Sequence, residues 1–559
     1  MSSLKRDLDK HIPREQQLKC LEFIDDVHTS GSEKKFFLLN LPPGVGKSHL
    51  ALMISDWYSK KINGGAKIDI ITNSKILQNQ YTDVYESLND LKGKENYKCD
   101  KFGSNCQQGG EFNRLNKTTC EYCPHSYSRD QFLFGKISLT NFYLYILYQL
   151  YKPKVMEARS ADVLIVDECH SLDDVMSGFI SIKITETIVK KFKFSDQDRI
   201  LKSLKSVRTI SDYVDFLDRF KIDIANTISQ IMSSMGSMDR NPISDKRNNK
   251  LSKILNSSNP DIKLIQILVD LDQLKSKIDI FLEEYKQSPD NWVLETQYNL
   301  KTKQNELSLE PIWAFDYLDK YVFSKYKMVF LMSGTILNKE LFCRLNGLDV
   351  DKSVYYSISS PFPLKNRPIY YIPTGKMSYA KKEDTFKNFV PMIEKILKKY
   401  PNDKGLIHTN SFELASWIQR DVKDKDKRLI YHDSSDKDQV LESHFATDKP
   451  TVMVSPSMDT GVSFDGDKAR FQIIAKVPYP SLASQKNKLR QKNDPDWYSY
   501  RTVCGIIQAY GRIIRSDKDS GDTIIIDSSF GDVLRFSSKY IPTWVQNSIK
   551  KIDLKINVD

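Results

Sequence analysis

Short β-branched or apolar runs recur along the chain, each closed by a polar or glycine-containing turn and followed by a helical period, which predicts an α/β architecture. The first set is FFLLN (36–40), IDIITN (68–73), ISLTN (137–141), VLIVDE (163–168) and MVFLMSGT (328–335). The second is GLIHTN (405–410), RLIYHD (428–433), TVMVSPS (451–457), FQIIAKVP (471–478) and TIIIDSS (523–529). Runs that are apolar throughout, rather than alternating, belong to parallel strands covered on both faces, so two doubly wound lobes are expected. From about 175 to 310 the pattern changes to long lysine-rich helical periods, such as Leu271, Leu274, Ile278, Phe281 and Tyr285, broken at NNKLSKILNSSNP. Because MVFLMSGT resumes the strand pattern, this segment interrupts the first lobe rather than separating the two.

At 559 residues the chain exceeds what a single core fills, since cores stop growing near roughly 250–300 residues. With 40% hydrophobic and 11% aromatic residues it has the apolar surface for several cores, which argues against a disordered chain. Lys plus Arg number 83 against 72 for Asp plus Glu, a net charge of +11. That sign suits a polyanionic partner, although solvated lysine faces give the same sum. The opening MSSLKRDLDKHIPREQQ has no signal-like apolar stretch, and nowhere do about 18 apolar residues run together. A soluble, intracellular protein with no membrane partner is expected.

The strongest local chemistry follows the first run. FFLLNLPPGVGKSHLALMISDWY reads as strand, Pro/Gly turn and helix, the setting of a P-loop. Pro43, Gly44, Val45 and Gly46 let backbone N–H groups turn toward a phosphate, Lys47 reaches the outer phosphates and Ser48 ligates magnesium, with His49 beginning the helix. Leu41 replaces the first glycine of the usual motif. VLIVDECH then ends an apolar strand in Asp167 and Glu168, one to hold Mg2+ and the other to orient and deprotonate the attacking water. An isolated D-E pair is often only an acidic helix cap, but beside a P-loop the catalytic reading dominates. Near the far end, IIQAYGRIIRS places Gln508, Arg512 and Arg515 on one helical face, from which arginines can reach a γ-phosphate across a cleft. The neighbouring Ile506, Ile507, Ile513 and Ile514 argue against a solvated surface helix.

Four of eight cysteines, Cys99, Cys106, Cys120 and Cys123, form C-x6-C-x13-C-x2-C between the P-loop and DECH. In a reducing compartment that cluster points to metal rather than disulfides. Spacing alone serves zinc and iron–sulfur equally. The surrounding Lys98, Lys101, Phe102, Arg114, Lys117, Tyr122 and His125 are suited to contact a nucleic-acid strand.

LPPGVGKS, VDECH, SGT and QAYGRIIR, in that order, together resemble the iron–sulfur-containing superfamily 2 helicases of the XPD and DinG group, over almost the whole chain. VPYP, DPDWY and GDTIIID also fit its second lobe. The resemblance implies two RecA-like lobes, with an iron–sulfur domain and a helical arch inserted in the first. The parts would be 1–95, 136–175 and 311–340 for the first lobe, 96–135 for a [4Fe-4S] domain, 176–310 for the arch and 341–559 for the second lobe. It implies ATP-driven, 5′-to-3′ travel on single-stranded DNA with unwinding at duplex junctions, by a monomer. It puts Arg14 and Gln17 at the adenine side, and Thr72, Asn73 and Ser74 in a DNA-contacting motif. Ser333, Gly334 and Thr335 would couple hydrolysis to DNA, with His170 linking nucleotide to DNA. The sequence departs from the group's E-G-x-D pattern at Thr460, Gly461, Val462 and Ser463, and has Cys169 where many relatives have alanine. An RNA-directed or non-unwinding translocase with a zinc site is the alternative.

Overall fold

The computed structural model describes residues 3–552, apart from 100–103, 108, 111–122, 193, 237–259, 300–303, 379, 425–426, 434, 457–463, 465, 515 and 517–518. Two seven-stranded sheets organise it. In the first, Ser353–Ser357, Phe36–Asn40, Met328–Ser333, Val163–Asp167, Ile68–Thr72, Ile137–Asn141 and Asn89–Asp90 lie side by side in that order, with every neighbour parallel. In the second the order is Leu429–Tyr431, Val452–Ser455, Gly405–His408, Phe471–Ile474, Asp522–Asp527, Ile369–Gly375 and Ile549–Lys551, again all parallel. All ten expected runs are strands, and the central ones are buried on both faces by flanking helices.

The edges were less legible. Ser353–Ser357 pairs with the P-loop strand, so the first sheet reaches past residue 340, where the second lobe was expected to begin. Segment 176–310 is not purely helical. The helices Ile210–Gly236 and Pro260–Gln287 pack together, but Trp292–Asn299 and Gln304–Pro311 form an antiparallel pair to which Ile182–Ile184 is added. Val293, Thr296 and Tyr298 are β-formers whose run was too short to stand out beside the long helical periods.

Parallel pairing puts the carboxyl ends of the first-lobe strands on one edge. Asn40 stands opposite Ser333, while Asp167 has Met332 on one side and Thr72 on the other. Open α/β sheets bind ligands beyond this edge, where loops leave the strands. Among the described residues no helix is long and apolar enough to cross a membrane.

Candidate nucleotide site and its coupling elements

The P-loop leaves the strand Phe36–Asn40 and enters the helix Lys47–Lys61. Gly44 and Gly46 sit at φ 83° and 85°, a left-handed conformation that side chains disfavour. At Gly46 a Cβ would also fall 2.6 Å from Gln17 Nε2. That amide donates to the Gly46 carbonyl at 2.8 Å, its oxygen accepts from the Arg14 N–H at 2.8 Å, and the Arg14 guanidinium donates to the Gly44 carbonyl. Arg14 and Gln17 therefore brace the loop from behind. Val45 is fully buried. The His49 side chain turns away from the loop toward His11 and Tyr85, and burial and then His11 lower its pKa.

Lys47 Nζ lies 2.8 Å from Glu168 Oε1, and His170 Nδ1 lies 3.3 Å from Glu168 Oε2 and 2.9 Å from Ser333 Oγ. Burial opposes ionisation of Glu168, yet Lys47 and His170 overcome it and hold the carboxyl well below its usual range. For Asp167 burial wins and the pKa is raised. Its Oδ2 accepts from Tyr81 at 3.0 Å, and the same phenol is hydrogen-bonded with Ser48. Asp167 Oδ1 is buried with no hydrogen-bond partner among the described residues. An unsatisfied carboxylate oxygen near a serine hydroxyl is a donor set that fits Mg2+. Glu168 itself sits at φ 59°, a backbone strain of the kind stored at functional sites.

The coupling residues divide. Ser333 Oγ, which meets His170 Nδ1 and so joins DECH to SGT, is also 3.0 Å from Thr335 Oγ1, and a Cβ on Gly334 would lie 3.4 Å from Leu41 O and Pro43 Cδ. Thr72 is fully buried and donates to the Ser74 carbonyl at 3.2 Å, while Ser74 Oγ caps the next helix by accepting from Leu77 N. Thr72 thus shapes the turn that carries Asn73.

From the second lobe, the helix Pro495–Tyr510 reaches three first-lobe motifs. Tyr500 donates to the Thr335 carbonyl at 2.7 Å, Arg501 to the His170 carbonyl at 3.2 Å, and Gly511 closes the helix against the P-loop. A Cβ there would meet Pro43 Cγ at 2.7 Å, so this approach demands glycine. The helix stops at Tyr510, with Gln508 in its last turn and Arg512 beyond it, buried, its carbonyl accepting from Phe464 N at 3.0 Å. Gln508 and Arg512 therefore do not share a helical face, because Gly511 ends the helix between them; Arg515 lies outside the described residues. Thr460, Gly461, Val462 and Ser463 do so too. Tyr81, Tyr500 and Arg501 had no motif spacing to mark them.

Residues 393–548 match the family described as the helicase C-terminal domain, and residues 10–200 the type III restriction enzyme res subunit. A Methanocaldococcus jannaschii protein named "Probable ATP-dependent helicase" is 23% identical over 89% of both chains. A solved XPD helicase superposes with a TM-score of 0.62 at 14% identity, over 97% of this chain and 99% of that one. The chain is similar to superfamily 2 helicases of the XPD/DinG type. Xpd4 of S. tokodaii has the same fold, with a TM-score of 0.53 at 16% identity over 96% of this chain and all of that one. The two lobes of this chain are RecA-like.

The cysteine-bearing insertion is described only in part. The pair Lys98–Cys99 and Ser104–Asn105 is antiparallel, and Cys123 precedes the helix Pro124–Phe134. Cys106 Sγ and Cys123 Sγ lie 3.4 Å apart; burial, then Cys123, pushes the Cys106 thiol up to about 12. For Cys123 burial is outweighed by hydrogen bonds from Ser126 and His125, which lower its pKa. Cys120 lies outside the described residues, and among those described no three His, Cys, Asp or Glu side chains gather as a metal site. The Cys106–Cys123 pair fits a thiolate-bound group, and Cys99 does not close a third side. Lys101, Phe102, Arg114, Lys117 and Tyr122 lie outside the described residues. His125 is buried against the Tyr97 ring in a T-shaped contact at 5.3 Å.

Proposed function

We propose that this helicase is DNA-directed, moving 5′ to 3′ along a single strand and unwinding duplex at junctions, with ATP and Mg2+ at the P-loop. The observation that carries motor action is the second-lobe helix Pro495–Tyr510, whose residues and C-cap touch SGT, DECH and the P-loop together. Relative movement of the lobes must then alter all three. Gly44, Val45 and Gly46 would present N–H groups to phosphate, Lys47 would neutralise the outer phosphates, and Ser48 and Asp167 would hold Mg2+. Glu168, held ionised by Lys47 and His170, would take the proton of the attacking water. Gln508, Arg512 and Arg515 would add charge stabilisation from the second lobe. Asn73 and Ser74 would face the DNA, and His170 with Ser333 would join that side to the nucleotide.

The DNA preference and polarity rest on the resemblance of the ordered motifs, supported by the +11 charge. Cys99, Cys106, Cys120 and Cys123 would hold a [4Fe-4S] cluster, a reading supported by the converging Cys106–Cys123 pair and its place between P-loop and DECH. When bound, such a cluster would cross-link the insertion. Strand displacement with ATP on matched 5′-tailed and 3′-tailed DNA and RNA duplexes tests the reading. Displacement of the 5′-tailed DNA is expected; displacement of RNA only, or of the 3′-tailed substrate only, overturns it.

A further inference from the structure

Glu168 needs a fixed orientation, yet its backbone is strained and only the single turn Cys169–Ser171 joins it to the helix Leu172–Ile180. That turn is gripped from the other lobe. Arg501 donates through Nη1 to the His170 carbonyl at 3.2 Å and through Nη2 to Asp174 Oδ2 at 2.5 Å, so one guanidinium spans the turn and the start of the helix after it. A neighbouring clamp fixes the same helix. Arg490 pairs with Asp173 at 3.2 Å, donates to the Ile312 carbonyl at 2.5 Å, and lies over the rings of Trp313 at 4.9 Å and Trp497 at 5.5 Å.

Between the two clamps is a cavity of about 30 Å³ bordered by His170, Asp173, Tyr500, Arg501 and Cys504. His170 Nε2 and Asp173 Oδ1 are buried with no hydrogen-bond partner among the described residues. A space of this size takes an ordered water or two, which would extend the Glu168–His170 contact to Asp173. A planar fork suits Arg501 to this double grip, which a lysine ammonium reproduces only in charge.

We propose that Arg501 is a positioning residue for ATP hydrolysis, which holds the Glu168–His170 turn in its working geometry only while the second lobe is docked. It acts through the His170 carbonyl and Asp174 and touches neither nucleotide nor reacting water. Lobe opening withdraws it, and Glu168 then loses its orientation. The Arg501–Asp174 pair is partly exposed, with side chains 28% and 52% accessible, so its removal spares the fold, since surface pairs contribute little to stability.

The inference rests on the ATP-hydrolysing reading and is tested by steady-state ATP turnover of the full chain. Arg501→Ala should lower kcat about tenfold with KM for ATP within about twofold, the signature of a lost interaction that acts in the transition state alone. Arg501→Lys should recover part of that loss, and Asp174→Asn should reproduce it more weakly, with melting temperatures unchanged. An Arg501→Ala variant with parental kcat, one whose KM rises in step with the loss, or a lysine variant no better than alanine overturns the proposal. A parent chain without any turnover overturns the ATP reading and this inference together.

Discussion

The nucleotide edge of the first lobe and the cysteine-bearing insertion occupy the same lobe but are held in different ways. At the edge, the functional residues end strands paired residue by residue with their neighbours or sit in the turns that leave them, and the P-loop is braced by Gln17 and Arg14. Among its described residues the insertion shows a two-residue strand pair and the helix Pro124–Phe134. Register in a buried parallel sheet fixes the first region to within one residue, whereas thiols placed by short loops depend on what cross-links them. A site built on strands is positioned before its ligand arrives; a site built on loops is completed by it.

Removing the central charge of the edge should have the largest effect. Lys47→Ala should cut ATP turnover by roughly 100- to 1,000-fold, as loss of one preorganised charge-stabilising group does, with the circular dichroism spectrum and melting temperature unchanged. Substantial turnover in this variant would break the assignment of the edge as the nucleotide site. Next is the tie between the two regions. Arg159 pairs with Asp69 at 2.8 Å in the sheet and donates to the Gly135 carbonyl at 2.5 Å, just past the helix that leaves the insertion. Arg159→Met strands a buried carboxylate and should cost about 3–5 kcal/mol, measured by urea unfolding; a cost under about 1 kcal/mol would show that the regions are not joined there.

Gln17→Ala should be milder. It removes the hydrogen bond to the Gly46 carbonyl and the one accepted from the Arg14 N–H, and should raise KM for ATP by up to about tenfold, the equivalent of about 1.4 kcal/mol, with kcat little altered. An unchanged KM would mean that the loop holds its shape unaided. The smallest effect on hydrolysis should come from the insertion: Cys123→Ser should leave basal ATP turnover within about threefold, since its contacts are remote from Lys47 and Glu168. The same variant should lose the iron, acid-labile sulfide and brown colour expected of anaerobically purified protein. Stoichiometric zinc in the parent, or hydrolysis that falls with the metal, would erase the contrast between the regions.

How far each region was legible follows from the same physics. The strands of the sheet interiors were readable because burial on both faces forces continuous apolar runs, and the P-loop because its glycines and lysine sit at fixed offsets after one of them. The strand Ser353–Ser357 and the hairpin Trp292–Pro311 were not, since edge and half-exposed strands carry mixed polarity. Gln508 and Arg512 were read onto one helical face because the three-four-seven spacing continues through Gly511; the close approach of Pro43, invisible in the local sequence, is where the helix ends.

The sequence by itself determined the lobes, the order of motifs and the chemistry available at each, because these depend on periodicity and local spacing. Only the tertiary structure decided which residues meet across distance: Gln17 with Gly46, Tyr81 with Asp167, and Arg501 with His170. Those contacts join parts of the chain separated by tens to hundreds of residues, and nothing in a local pattern records which partner the fold will bring to each side chain. The lobe interface is therefore where the sequence was least informative and where the geometry of hydrolysis is set.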